Sequence, residues 1–131
     1  MIIDLTPETF FQYINREGPL HVVMHYGATC GPCKNTMPHY EVLASHFEEH
    51  NFSNVKFYRF HQWEQQYKEF IEQNNLKVSG VPTFRYYYYG DVLNEITAGY
   101  NDPNAMKQVI VDVIKGIETT MGGFPIHDNE N

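Results

Sequence analysis

The two cysteines of the chain lie close together, in the segment Cys30-Gly31-Pro32-Cys33. Two thiols at this spacing can close a small disulfide ring and open it again. Gly31-Pro32 is typical of a helix start, and the free N–H groups and partial positive charge of a helix N-terminus stabilise a thiolate, the form that attacks disulfides. The spacing therefore predicts a redox-active dithiol in which Cys30 attacks and Cys33, one turn into the helix, resolves the mixed disulfide.

Inert buried thiols and a metal site are the alternatives for this cysteine pair. Two cysteines supply only half of a tetrahedral metal site, and His25, His39 and His61 show no paired spacing near them. His21 and His25 are four residues apart but fall in a predicted strand, where that spacing separates them. We therefore predict no metal and no organic cofactor, and we expect the seven histidines to be surface or interface residues.

Composition narrows the classes of function. The chain of 131 residues has 16 acidic and 9 basic residues, a net charge of −7, which argues against binding to nucleic acid. No apolar run is long enough to cross a bilayer. Residues 1–7 lack the basic region, apolar stretch and cleavage site of a signal peptide. We expect a cytoplasmic protein without membrane contacts; in that reducing compartment a cysteine pair is more often catalytic than structural.

The periodicity of apolar residues predicts five strands and four helices in the order βαβαβαββα, an α/β arrangement with helices on both faces of a mixed sheet. The strand at 20–26 is apolar enough to be buried on both faces. The predicted strands are 2–5, 20–26, 53–60, 81–89 and 92–98, and the predicted helices are 7–16, 31–49, 64–74 and 103–119. Residues 1–120 form one predicted domain, and residues 121–131 a flexible C-terminal tail.

Several segments together resemble the thioredoxin family. They are Cys30 to Lys34 followed by Pro38, then Gly80-Val81-Pro82-Thr83-Phe84, and finally Gly90 and Gly99. The likeness extends from Ile2 to the C-terminal helix. It implies a thioredoxin-like three-layer fold and a thiol-disulfide oxidoreductase that acts on protein disulfides. It also implies a thioredoxin reductase-type electron donor, and we expect a monomer.

The resemblance also assigns the surroundings of the dithiol. Thr29, Gly31 and Pro32 form the active-site loop. The proline matching Pro82 is cis in the family, and the backbone of the preceding residue, here Val81, pairs with an extended substrate chain. Gly99 would lie in the shallow surface around the active site.

The sequence departs from the family at three places. Thr29 stands where the family usually has a tryptophan, and Met24 where it has a buried aspartate that assists proton transfer at the second thiol. A water molecule, or a nearby side chain such as Arg59 or His61, would then have to compensate, and a cation at Arg59 would favour the thiolate. Residues 61–75 suggest an enlarged third helix. These departures leave a second hypothesis open, a binding module whose redox activity is secondary.

Overall fold

A five-stranded mixed sheet forms the centre of the computed structural model, which describes residues 1–52 and 54–124. The strands are β1 (Ile2–Leu5), β2 (Leu20–Tyr26), β3 (Val55–His61), β4 (Thr83–Tyr88) and β5 (Asp91–Thr97), in the spatial order β1-β3-β2-β4-β5. β1 and β2 run parallel to β3, whereas β4 is antiparallel to both β2 and β5. The mixed sheet predicted from the sequence is confirmed.

Four α-helices cover the two faces of the sheet and give the three layers. The helices are α1 (Phe10–Ile14), α2 (Gly31–Glu49), α3 (Lys68–Gln73) and α4 (Pro103–Met121), with a 3₁₀ turn, Gln65–Tyr67, before α3. α2 and α4 share one apolar core with Leu20, Val22 and Met24. α1 and α3 share the other core with Val23 and Phe60. β2 is therefore buried on both faces, because its alternate side chains enter different cores.

Two helices are shorter than the sequence predicts. α1 begins only at Phe10, because Thr6 and Pro7 belong to a preceding turn in which the Thr6 carbonyl accepts from the Phe10 N–H at 2.9 Å. The expectation of an enlarged third helix is wrong. Residues 64–74 form a 3₁₀ turn and the six-residue α3.

The hairpin between β4 and β5 is shifted by one residue from its predicted place. Tyr89 and Gly90 occupy the turn with φ of 52° and 82°, and Tyr88 pairs with Asp91, which begins β5. Two successive positive φ angles suit the right-handed twist of a tight hairpin. Tyr86 and Tyr88 face the core with α2 and α4 while Tyr87 faces the other, as the alternation predicts.

The C-terminal helix continues to Met121, two residues beyond its predicted end. Phe124 is buried, and its ring centroid lies 5.7 Å from that of Tyr88. Phe124 of the predicted tail therefore packs on the domain, whereas Met121, Gly122 and Gly123 are exposed. Residues 125–131 lie outside the described part of the chain. Within the described ranges, the helices are too short or too polar to cross a membrane.

Two histidines correct the expectation that this residue type lies at the surface. His21 and His25 are completely buried in β2, on the face covered by α1 and α3. Each has a hydrogen-bond partner from a neighbouring segment, Tyr58 for His21 and Gln62 for His25. Burial lowers the pKa of both imidazoles, that of His25 to about 3, because desolvation disfavours the charged form.

Candidate active site

The two cysteines form a disulfide at the N-terminus of α2, with their Cα atoms 5.2 Å apart. Cys30 is the N-cap residue in an extended conformation, and its Sγ accepts a hydrogen bond from the Cys33 N–H at 3.1 Å. Pro32 stands in the first turn, where a missing N–H costs no helical hydrogen bond. A thiolate at Cys30 would accept the same N–H and face the positive end of the helix dipole.

Both sulfur-bearing residues are nearly covered in this disulfide form. Cys30 is 5% exposed and Cys33 is 3% exposed, so the two residues hardly differ in exposure. The exposed residues of the loop are Thr29, Gly31 and Pro32. The loop backbone and its small side chains therefore lie between the two sulfur atoms and the solvent.

The Val81-Pro82 segment forms one wall of the site, and its peptide bond is cis, as the resemblance implies. The carbonyl oxygen of Val81 lies 3.6 Å from Cys30 Sγ. Thr83 fixes this segment, because its hydroxyl donates to the Gly80 carbonyl at 2.6 Å and accepts from the Thr97 hydroxyl at 2.7 Å. The backbone of Val81 is thus held beside Cys30 Sγ.

Gly99 lies against the N-terminal turn of α2. A Cβ placed on it would come within 3.2 Å of Thr36 Oγ1 and 3.4 Å of Pro32 Cβ. The next residue, Tyr100, donates its N–H to Thr36 Oγ1 at 2.8 Å. The absence of a side chain at Gly99 lets this loop approach the active-site helix closely.

The turn leading into the dithiol is tied to the end of β3. The Ala28 N–H donates to His61 Nε2 at 2.9 Å, and the Gln62 N–H donates to the Tyr26 carbonyl at 2.7 Å. The His61 nitrogen that could act as a base is therefore occupied by the turn. The indole ring of Trp63 lies over Gly27, and 54% of the surface of Trp63 is exposed.

A cleft of about 270 Å³ lies beside Cys33. Its lining combines apolar side chains with two basic ones: Met24, Tyr26, Gly27, Ala28, Cys33, Lys34, Met37 and Arg59. Met24 is buried, so a thioether faces this cleft in place of a carboxylate. Cys33 has two cations and no acid along this cleft.

Arg59 is held in place at the outer side of this cleft. Its guanidinium pairs with the Asp4 carboxylate, lies 5.2 Å from the centroid of the Tyr26 ring, and reaches Met37 Sδ at 4.0 Å. The hydrogen bond that Arg59 donates to Asp4 is the main cause that raises the pKa of Arg59. The side chain stays charged, but the carboxylate offsets part of its field at Cys33.

No group of three or more histidine, cysteine, aspartate or glutamate side chains that could hold a metal ion occurs within residues 1–52 and 54–124.

The family model described as thioredoxin matches residues 1–112. The chain belongs to the thioredoxin family. It is similar to thioredoxin 1 of Plasmodium falciparum (isolate 3D7), with 28% identity over 110 residues that cover 84% of this chain and 95% of that protein. It is also 28% identical over 110 residues to the thioredoxin of Geodia cydonium, which covers 79% of this chain and 91% of that protein. This thioredoxin-family protein is a thiol-disulfide oxidoreductase.

Solved structures of thioredoxins match the fold. The thioredoxin of Trypanosoma brucei brucei superposes with a TM-score of 0.68 at 25% identity, over 88% of this chain and 92% of that chain. Spinach chloroplast thioredoxin f gives a TM-score of 0.70 at 23% identity, over 86% of this chain and 85% of that chain. The thioredoxin-like three-layer fold expected from the resemblance is confirmed.

Sequence patterns did not predict the contacts by which three residues hold this thioredoxin-family site together. Thr36, His61 and Trp63 each contact a loop that carries or faces the dithiol. Gly27 gave one usable signal, because a glycine at a strand end is typical of a close approach by another group. The partners of Thr36 and His61 are 64 and 33 residues away, and no local pattern reveals them.

Proposed function

We propose that Cys30 is the nucleophile of this oxidoreductase and Cys33 the resolving thiol. In the reduced protein, the Cys30 thiolate attacks one sulfur of a protein disulfide, forms a mixed disulfide and releases the other sulfur as a thiolate that takes up a proton. Cys33 then loses its proton, attacks Cys30 Sγ and releases the second substrate thiolate. The protein disulfide gains two electrons, and the Cys30–Cys33 disulfide forms.

The observation that carries this assignment is the position of Cys30 as N-cap of α2. Its sulfur accepts the Cys33 N–H and lies 3.6 Å from the Val81 carbonyl oxygen, at the substrate-facing wall. Cys33 lies one turn inside the helix, against the cleft that holds Met24 and Arg59. Cys30 Sγ can therefore contact an incoming substrate chain, whereas Cys33 can attack only from the interior side of the mixed disulfide.

We propose that Val81, Pro82 and Gly99 contact the substrate backbone. The half-buried Val81 offers its peptide groups beside the attacking sulfur, and an extended chain can pair with them as an added strand does. Gly99 lies next to Pro32 and has no side chain that would block that chain. Thr29, Gly31 and Pro32 supply the exposed loop over which it runs.

The dithiol needs an external reductant to start another cycle, and we propose a thioredoxin reductase-type donor, with the protein acting as a monomer in the cytoplasm. The family membership supports a donor of this kind, because the oxidised pair cannot accept a second substrate until two electrons and two protons restore both thiols. None of the described residues offers an observation that favours the alternative of a binding module.

Reduction of a protein disulfide by the purified chain, with dithiothreitol as the electron source, tests the assignment. We expect the wild-type chain to turn over and Cys30→Ser to be inactive. Cys33→Ser should instead accumulate a mixed disulfide through Cys30, visible as the sum of both masses. An inactive wild type would favour the binding module, and a trap formed through Cys33 in Cys30→Ser would reverse the two roles.

A further inference from the structure

Trp63 is a large apolar side chain that the reaction described so far does not use. It is the only tryptophan of the chain, it follows β3 directly, and 54% of its surface is exposed. Trp63 is the largest of the exposed apolar side chains among the described residues, so contact with a partner would remove a large apolar area from water.

The ring of Trp63 is held against the turn that carries Cys30. A Cβ on Gly27 would overlap the six-membered part of the indole, so the ring rests directly on the glycine backbone. The Gly27 carbonyl accepts the Cys30 N–H at 3.3 Å, and the adjacent Gln62 N–H donates to Tyr26 at 2.7 Å. The position of the ring is therefore coupled to the position of the attacking residue.

The sheet order places Trp63 and Val81 on opposite sides of this turn. β2 leads into the turn and lies between β3 and β4; Trp63 follows the end of β3, and Val81 precedes the start of β4. Ala28 and Thr29, exposed between them, are small and add little apolar area. A chain bound at Val81 and continuing across Cys30 would meet the exposed part of Trp63 next.

We propose that Trp63 is a specificity-determining residue that binds an apolar side chain of the protein substrate close to the cysteine under attack. The proposal rests on the assignment of Cys30 as nucleophile. A rigidly placed aromatic ring offers a large contact area at low cost in conformational entropy, as aromatic residues do at the centres of protein interfaces. Substrates with an apolar residue near the disulfide are favoured over those with only charged neighbours.

The mixed disulfide of Cys33→Ser tests this contact directly, because Trp63 is the only indole in the complex when the substrate lacks tryptophan. Reduced Cys33→Ser is joined through Cys30 to such a protein substrate, and in a parallel sample to cysteamine, which adds a disulfide but no chain. We expect the emission of Trp63 to shift to shorter wavelength and its quenching by acrylamide to fall in the protein complex only.

The two outcomes against the proposal are distinguishable. If the mixed disulfide forms, as mass spectrometry shows, and the emission and quenching match those of the cysteamine sample, the contact is overturned while the nucleophile stands. If no mixed disulfide forms, the proposed function is overturned and this inference with it.

Kinetics supply a second readout. Trp63→Ala should lower kcat/KM for a protein disulfide by about tenfold relative to a small disulfide such as oxidised glutathione, mainly through KM; tenfold corresponds to about 1.4 kcal/mol of contact. Trp63→Phe should recover much of the loss. Val92→Ala, which truncates another exposed apolar side chain on β5, is the matched control. Equal losses of kcat/KM for the protein disulfide and for oxidised glutathione would show that the substitution only displaces the turn. That result would contradict the proposal.

Discussion

At the scale of single residues, the cleft beside Cys33 decides how the second thiol is activated. Met24 removes the acid that the family resemblance leads one to expect, and His61 is committed to the Ala28 N–H. Arg59 and Lys34 are the basic groups that remain along the cleft. A cation favours a nearby thiolate over the thiol, so we expect these residues to assist Cys33 by stabilising its charged form and to take no proton from it.

Arg59→Leu should make Cys33 harder to deprotonate. We expect the midpoint pH of its alkylation in the reduced protein to rise by about 0.5 to 1, less than for charges in direct contact, because Asp4 offsets part of the guanidinium charge. At a pH where Cys33 is ionised, the reduction potential should fall by about 15 to 30 mV, because the charged reduced form loses its stabilisation. Mass spectrometry of alkylated Cys33 and equilibration with glutathione measure the two quantities.

Asp4→Asn is the matched control variant, and we expect it to shift the alkylation midpoint of Cys33 in the opposite direction to Arg59→Leu. It leaves Arg59 in place but removes the carboxylate that offsets it, so the alkylation midpoint should move downward. Shifts of the same sign in both variants, or no shift in Arg59→Leu, would show that the cation does not act on the thiol.

The chemistry of this site could be predicted from the sequence more completely than the contacts that hold the site in place. The Cys30–Cys33 spacing and the Val81-Pro82 segment are local patterns, and the structure brings them to within 3.6 Å of each other. The places of Trp63 and His61 depend on packing between segments distant in sequence. Such contacts follow from the fold as a whole and leave no periodic signal.

At the scale of elements, the periodicity of apolar residues predicted the strands and long helices well and the short helices poorly. β2 and α4 have long apolar patterns, and burial of these apolar faces in the tertiary structure agrees with the patterns. α1 and α3 have five and six residues, too few for the pattern or the intrinsic propensity to fix their ends.

The loop of residues 98–101 depends on one hydrogen bond to α2. Thr36 is completely buried and accepts the Tyr100 N–H at 2.8 Å, beside Gly99 and Pro32. Thr36→Val keeps the shape of the side chain but leaves that N–H without an acceptor. We expect the free energy of unfolding to fall by about 1–3 kcal/mol. Urea denaturation measures this loss, and the amide of Tyr100 should exchange faster with solvent.

Thr119→Val is the control for that substitution, since it makes the same change in a helix at an exposed hydroxyl that donates to the Lys115 carbonyl. Its effect should remain within about 0.5 kcal/mol, as at other surface sites. Equal effects of the two variants would mean that the propensity of valine, and not the Tyr100 contact, is responsible.

At the scale of the whole molecule, the two apolar cores differ in what they bury. The core between the sheet and α2 and α4 contains the disulfide. The face covered by α1 and α3 contains His25, whose Nδ1–H donates to Gln62 Oε1 at 2.8 Å. Gln62 is fixed in that orientation, because its Nε2 donates to the Leu76 carbonyl at 2.7 Å. His25 Nε2 has no hydrogen-bond partner within the described ranges, so a second proton there would be buried and unpaired.

The free energy of unfolding should therefore decrease as the pH is lowered, because His25 becomes charged in the unfolded chain. Desolvation lowers the pKa of His25 from 6.5 to about 3 in the folded protein. Between these values the unfolded chain binds the proton more strongly, so the contribution of His25 is complete above about pH 6.5 and is lost progressively toward pH 3. From pH 7.5 to 5.0 the loss should be about 2 kcal/mol.

Urea unfolding of His25→Asn at both pH values isolates that part of the pH dependence. Asparagine can still donate an N–H toward Gln62 but does not titrate in this range, so the change between pH 7.5 and 5.0 should be about 2 kcal/mol smaller than in the wild type. The remaining change belongs to other groups, among them His21, whose pKa burial also lowers. His50→Asn, which removes an exposed histidine at the end of α2, controls for the loss of one histidine. Because both pH values are compared within each variant, a lower overall stability of His25→Asn does not affect the result. An unchanged pH dependence in that variant would show that His25 takes up its proton without unfolding.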